Sequence, residues 1–318
     1  LASTPAATTA WVNLGPKAQL TSASFPDIDS GRPTAIVTHP TNSQILYMAT
    51  SGGGVFKCSN ADLASSGDWT WTAITDSLPS SSASGNLAVG SLAMSPADPE
   101  TLFVGLGDDF DTAGRGLYKT VNGGASWTAA TGLGNQTATH TILALSGTVI
   151  LVGGNDGMKR STDGGSTFGA VSLGGSSTGN IWTIKALSAT ELICSRQSGS
   201  TGTIWYSSDS GASWTQASIS GVTPQRISVA TSAASSTTAW GICQQAGGYI
   251  ARGLMKTTDK GHTWTFVAAP DVAGGLFRGK GYQDDLYQGV HQDGAQAFYN
   301  HGLAVDPANS NRVFVGAN

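Results

Sequence analysis

The sequence predicts an all-β chain, a β-propeller built from four-stranded antiparallel blades. Three observations carry that prediction. One hairpin motif recurs four times, a pair of short apolar runs recurs upstream of it, and residues 31–270 hold five such units, 240 residues or 48 per unit. That is the period of a four-stranded propeller blade. Composition agrees. Charged residues make up 11% of the 318 residues, against about 25% in average proteins. Glycine, at 43 residues, is nearly twice its roughly 7% background. With 39% hydrophobic residues and nine Trp, the chain can bury a large core, which excludes a disordered protein.

The hairpin motif reads [ST]-x-[DN]-x-G-x-[ST]-[WF] and spans Thr120–Trp127, Ser161–Phe168, Ser207–Trp214 and Thr257–Trp264. Its Asx residues, Asn122, Asp163, Asp209 and Asp259, are structural: their side chains accept bonds from backbone N–H groups two or three residues on. Glycine supplies the positive φ, and the hydroxyls help cap the turn. The closing aromatic starts the next strand and packs inward. Each copy follows a β-type run: Gly116–Lys119, Gly157–Arg160, Thr203–Tyr206 or Gly253–Lys256. Further upstream, Ala35–Pro40, Ser91–Pro96 and Gly302–Pro307 are each followed by a second run, Ile45–Met48, Thr101–Val104 or Arg312–Val315. Two strands, the hairpin and a closing strand make four.

In chain order the blades are expected at about 31–76, 86–131, 138–173, 180–220 and 224–269, followed by a long connection and a partial blade at 298–318. In the first blade Cys58-Ser59-Asn60 begins a degenerate hairpin, an insertion follows, and Asp68–Trp71 resumes the strand. Residues 1–318 are thus expected to form one propeller domain with an incomplete ring, six or seven blades when complete. A second chain or a C-terminal continuation would close it.

With these motifs the chain resembles the Asp-box, or bacterial neuraminidase repeat, β-propellers. The resemblance covers nearly the whole chain and implies the fold. The same repeat serves sialidases, xyloglucan-cleaving glycoside hydrolases, sortilin-type receptors and photosystem assembly factors, so it does not imply one activity. Sialidases of this kind carry an Arg-Ile-Pro signature and a Tyr/Glu pair. Here there is no Arg-Ile-Pro, and neither Glu100 nor Glu191 lies in a matching context; a sialidase is not expected. The first blade is closer to xyloglucanase-like and sortilin-like propellers. Where the xyloglucanase-like family has a catalytic aspartate in a Thr-Asp-x-Gly-Gly stretch, this chain has Thr50-Ser51-Gly52-Gly53-Gly54. A serine cannot protonate a glycosidic oxygen as a carboxylic acid does.

The hairpin turns define one face of the propeller, and the loops of the opposite face are the conspicuous ones. Gly107–Gly116 joins the second and third strands of blade two, Gln244–Gly253 does so in blade five, and Asp271–Asn300 is a link far longer than usual. Connections beyond about 12–15 residues are often functional. Asp284, Asp285 and Asp109 are the candidate acid/base residues, with Arg115, Arg252, Tyr249, Tyr299, His291 and His301 as candidate substrate-binding groups. His301 falls in the first-strand column also held by Thr34 and Gly90, near the axial mouth. These groups read either as an acid/base or hard-cation site or as loop caps and a histidine bonded to a neighbouring blade. Asp108, Asp109 and Asp111 lack EF-hand spacing; Ca2+ there is the one cofactor considered, and otherwise none is expected. Trp127, Trp214 and Trp264 read as core, whereas Trp182 and Tyr249 either line a cleft or anchor loops.

A net charge of −4 with no Lys/Arg run argues against nucleic acid as a partner, and no apolar stretch has the ~20 residues of a membrane span. Leu1-Ala2-Ser3-Thr4-Pro5 reads as the start of a mature secreted protein after removal of a signal peptide. Two functions are carried forward: an extracellular propeller that binds or cleaves a polysaccharide, glycoside hydrolase-like if it is an enzyme, and a non-catalytic protein-recognition or scaffold propeller of a larger secreted or surface protein.

Overall fold

A computed structural model describes residues 20–22, 25–28, 32–61, 69–78, 87–109, 113–114, 116–134, 136–246, 251–267 and 302–316. Every helix or strand among them is a strand. β1 (Leu20–Ser22) and β2 (Phe25–Ile28) form a two-stranded ribbon. Four four-stranded antiparallel sheets follow, each in plain sequential order. The first holds β3 (Pro33–Thr38), β4 (Leu46–Thr50), β5 (Gly54–Cys58) and β6 (Trp71–Ala73). The second holds β7 (Val89–Met94), β8 (Leu102–Leu106), β9 (Leu117–Thr120) and β10 (Thr128–Ala129). The third is β11 (Thr139–Ala144), β12 (Ile150–Gly154), β13 (Gly157–Ser161) and β14 (Gly169–Val171), and the fourth β15 (Asn180–Ala186), β16 (Leu192–Ser198), β17 (Thr201–Ser207) and β18 (Thr215–Gln216).

The next sheet gains a fifth strand. β19 (Ser218–Ser220) adds in parallel to the outside of β23 (Thr263–Val267), beyond which lie β22 (Ala251–Thr257), β21 (Ser235–Gln245) and β20 (Pro224–Ser232). Chain leaving one sheet thereby ties down the next. β24 (Gly302–Asp306) and β25 (Asn309–Gly316) pair antiparallel. The first strands β3, β7, β11, β15, β20 and β24 pack side by side in that order, so the sheets radiate from a common axis. This is a β-propeller.

The core lies between the sheets. Second strands are sandwiched by both neighbours, and β8 and β12 are buried at every residue. Phe103 and Leu117 of the second sheet meet Ile150, Val152 and Phe168 of the third; Ile193 and Ile204 of the fourth meet Met255 and Trp264 of the fifth. The repeat aromatics Phe168, Trp214 and Trp264 are buried, as their place in the motif predicts. Cys58, Cys194 and Cys243 are buried, unbridged thiols. Burial pushes the Cys194 thiol pKa up.

The repeated turns are closed by side chains. Ser161, Ser207 and Thr257 each donate a hydroxyl to the Asp two residues on, at 2.7 Å, and each takes a bond from the glycine N–H four residues on. The Asx oxygen reaches further than the sequence pattern suggests: Asn122, Asp163, Asp209 and Asp259 accept from the N–H four residues on, at 2.9–3.0 Å. Two successive left-handed residues, Ser210 with Gly211 and Lys260 with Gly261 among them, curl the chain back far enough to allow it. In the degenerate first hairpin Cys58 takes the hydroxyl's place, its thiol facing Asn60 Oδ1 at 3.4 Å, and Asn60 accepts from the Thr70 N–H across the insertion.

These bonds hold carboxylates in their charged form. At Asp163, bonds from Ser161 and Thr167 drive the carboxyl well below the ordinary range. At Asp209, burial pushes the pKa up, but bonds from Ser213, Ser207 and Ala212 win and lower it to about 2. Asp259 is lowered by the same balance. A carboxyl whose folded pKa lies below its unfolded value stabilises the fold above the unfolded value and loses that contribution as pH falls. Stability is therefore expected to drop between about pH 4 and pH 2, and Asp209→Asn to flatten that drop, as followed by thermal melts across pH.

Candidate functional site: the axial channel

The first strands enclose an axial cavity of about 800 Å³. Its mouth is shaped by one device repeated around the axis. In β3, β7, β11, β15 and β20 the register against the second strand slips by one residue at the same place, leaving Thr34, Gly90, His140 and Trp182 as the extra residue, and Gln225–Arg226 at the slip in β20. A β-bulge re-aims the side chain it carries. Here it sends each column residue toward the axis, and Thr34, His140, Trp182 and Arg226 all line the cavity.

Column residues also stitch neighbouring sheets. Thr34 Oγ1 donates to Val89 O at 2.7 Å, and His140 Nδ1 lies 3.1 Å from Ile181 O. In the second sheet that place belongs to Gly90, where a Cβ would stand 2.2 Å from Thr139 O and 2.3 Å from Gly107 O. Only glycine fits. The space it leaves is taken by the loop after β8, which turns on Gly107 (φ +89°) and delivers Asp108 and Asp109 to the mouth.

Both carboxylates are engaged. Asp108, 8% exposed, accepts from Arg32 Nη2 at 2.6 Å. Asp109 Oδ2 lies 2.6 Å from His140 Nε2, and the histidine side chain is only 7% exposed. Because Ile181 O can only accept, Nδ1 is the donor of that bond, which turns Nε2 toward Asp109. Both residues of the pair line the cavity.

His140 stacks on Trp182, with ring centroids 4.1 Å apart and 13° between planes. The guanidinium of Arg226 lies 4.1 Å from the Trp182 centroid. β11 and β20 flank β15 on opposite sides, so the indole is clamped between imidazole and guanidinium, and its Nε1–H donates to Gln197 Oε1 at 2.7 Å. Trp182 therefore lines the channel as a spacer and does not offer an open ring face for a sugar. Burial lowers the Arg226 pKa to about 10, with Asp108 and Asp109 opposing that fall; it stays cationic at neutral pH. Three residues beyond Trp182 on the same strand, Lys185 lines the lumen with an exposed side chain, and desolvation within the cavity lowers its pKa.

Of the residues singled out from sequence, Asp108 and Asp109 meet at this mouth. Arg252 lies on β22. Asp111, Arg115, Tyr249, Asp284, Asp285, His291, Tyr299 and His301 lie outside the described residues. Among the described residues no group of three or more His, Cys, Asp or Glu is placed to hold a metal ion. Sequence reasoning missed Arg32, His140, Lys185 and Arg226. The signal was present: extending the column of Thr34 and Gly90 through every first strand reaches His140, Trp182 and Arg226 in turn.

No family model matches the chain. The xyloglucanase of Hypocrea jecorina (strain QM6a) is 24% identical over 154 residues, which is 43% of this chain and 17% of that protein. Among solved structures, the GH74 enzyme of Niastella koreensis superposes with a TM-score of 0.59 at 19% identity, over 90% of this chain and 40% of that one. The GH74 xyloglucanase of Xanthomonas campestris gives 0.52 at 21% identity, over 77% and 39%. The chain spans less than half the length of each. It shares the propeller fold of these glycoside hydrolases.

Proposed function

We propose that this chain is an extracellular Asp-box propeller whose axial channel binds a polysaccharide in the manner of a glycoside-hydrolase-like domain. The observation that carries the reading is the hydrogen-bonded Asp109–His140 pair at the mouth of a cavity about 800 Å³ in volume, within the roughly 300–1,000 Å³ of ligand sites. Xyloglucanase as the name of the curated relative supports the substrate class. Low charge and Ser, Thr, Gly and Ala in abundance support an extracellular setting.

Binding is the better supported half of this reading. Hydrolysis of a glycosidic bond needs two carboxyl groups. Asp109 is 24% exposed and sits 2.6 Å from His140 Nε2, a place from which it can meet a substrate, whereas Asp108 is paired with Arg32 and Ser51 stands where the xyloglucanase-like family has an acid. Asp284 and Asp285 are the proposed partners, with Arg115, Arg252, Tyr249, Tyr299, His291 and His301 as further substrate contacts from the same face. A glycan array together with a reducing-sugar release assay tests the reading. Binding of at least one plant or bacterial polysaccharide is expected, and neither binding nor release across the panel would refute it.

A further inference from the structure

The first strands pack in series from β3 to β24, but the series does not return on itself. β24 and β3 are not packed as neighbours, although Leu303 of the one and Ile36 of the other line the same cavity. The propeller has an open flank between them. Register identifies what each side of it lacks. Phe314 pairs with Ala304 of β24 as Phe103 pairs with Ala93 of β7, and Leu151 and Ile193 hold the same place in the third and fourth sheets. Those three are at most 1% exposed, whereas Phe314 is 58% exposed. On the other side Ile36 takes the place of Leu92, and it is 64% exposed against 6%.

The covered counterparts show what the open ones are shaped to receive. Phe103 lies under Gly165 of the next hairpin, Leu151 under Gly211 and Ile193 under Gly261; at each glycine a Cβ would collide with the side chain beneath it. Leu92 in turn packs among Tyr47, Ala49 and Val55 of the preceding sheet. Both features belong to one object, a blade of the repeat. No described hairpin of this chain is free to supply it: Gly124 is seated on Ile74 as the other three are on their partners, and the first hairpin has Asp62 where the rest have that glycine. The Phe314 side is also built in advance. Ser232 Oγ donates to Asp306 O at 2.6 Å, Trp240 Nε1 to Ser310 O at 2.8 Å and Lys256 Nζ to Asn311 Oδ1 at 2.9 Å, which fastens β24 and β25 to the fifth sheet. No described strand pairs with the outer edge of β25. Unpaired edges beside exposed apolar residues mark association sites.

We infer that the open flank docks one blade of the same repeat carried by a partner chain, its hairpin glycine seated on Phe314 and its second and third strands against Ile36. Isothermal titration of the full chain tests this with a synthetic hairpin of residues 251–267, β22 and β23 with their turn, closed by a disulfide between cysteines added at its two ends. Saturable binding is expected. Gly261→Val in the hairpin should abolish it, because a side chain there cannot seat on the ring. Phe314→Thr in the protein should weaken it at least about 10-fold, the loss of an interface anchor, and leave the thermal midpoint unchanged, since the ring is exposed. No binding of the closed hairpin overturns the inference, as do undiminished binding by the Gly261→Val hairpin or to the Phe314→Thr protein, and a lowered midpoint in Phe314→Thr. Light scattering of the chain alone supplies the last arm: a monomer is expected, and a dimer that Phe314→Thr dissolves would assign the flank to a second copy and overturn the inference.

Discussion

Truncating Trp264 to alanine is expected to destabilise the protein by about 3–5 kcal/mol, the cost of emptying a fully buried aromatic site. Trp264 is 1% exposed and packs with Ile193 and Ile204 of one sheet and Met255 and Ala239 of the next. Its Nε1–H closes the turn by donating to Gly261 O at 3.1 Å. The loss combines a cavity between two blades with an unsatisfied carbonyl at a left-handed turn. Denaturant unfolding reads it as a lower midpoint at unchanged slope. Trp127 makes the informative contrast: it is half-buried and donates to Ile74 O of the preceding sheet at 2.7 Å, so Trp127→Ala should cost less. An equal or larger loss at Trp127 would show that the inter-sheet core is not where the packing places it.

Replacing Trp182 by alanine is expected to lower affinity for a bound oligosaccharide about 100-fold, the scale of an interface anchor. The ring offers no open face, so the effect comes through positioning. Without the indole, His140 loses its stacking partner at 4.1 Å and Arg226 loses the surface that orients its guanidinium. Titration of the variant, with a thermal melt as control, reads the effect. Trp182→Phe should restore part of the affinity, because a smaller ring still separates the two groups. Affinity equal to wild type in Trp182→Ala would remove the stack from the binding site.

The fold was legible because its signals are local and repeated. A hydroxyl, an Asx, a glycine and an aromatic at fixed spacing specify one turn, and four copies at a steady period leave little choice of architecture. The reach of the Asx bond to the fourth residue was less legible, since it depends on two left-handed residues in succession, and Ser210 and Lys260 do not announce positive φ. The site was half legible. Asp108 and Asp109 stand out as acids in a chain poor in charge, but their partners do not, because Arg32, His140 and Arg226 come from three different sheets and meet only when first strands pack around an axis. A bulge adds one residue to a strand and leaves no motif of its own. Trp182 shows the same limit: an aromatic beside a functional loop suggests a sugar platform, and only the strands on either side reveal that both its faces are taken.

Hydrogen–deuterium exchange of the full chain with a saturating oligosaccharide tests the assignment of the axial channel most directly. Slowed exchange is expected in 137–142, 180–186 and 224–229, the first-strand segments that carry His140, Trp182, Lys185 and Arg226. Exchange unchanged in those segments, or slowed only in the hairpin turns at 161–168, 207–214 and 257–264 on the opposite face, would contradict it.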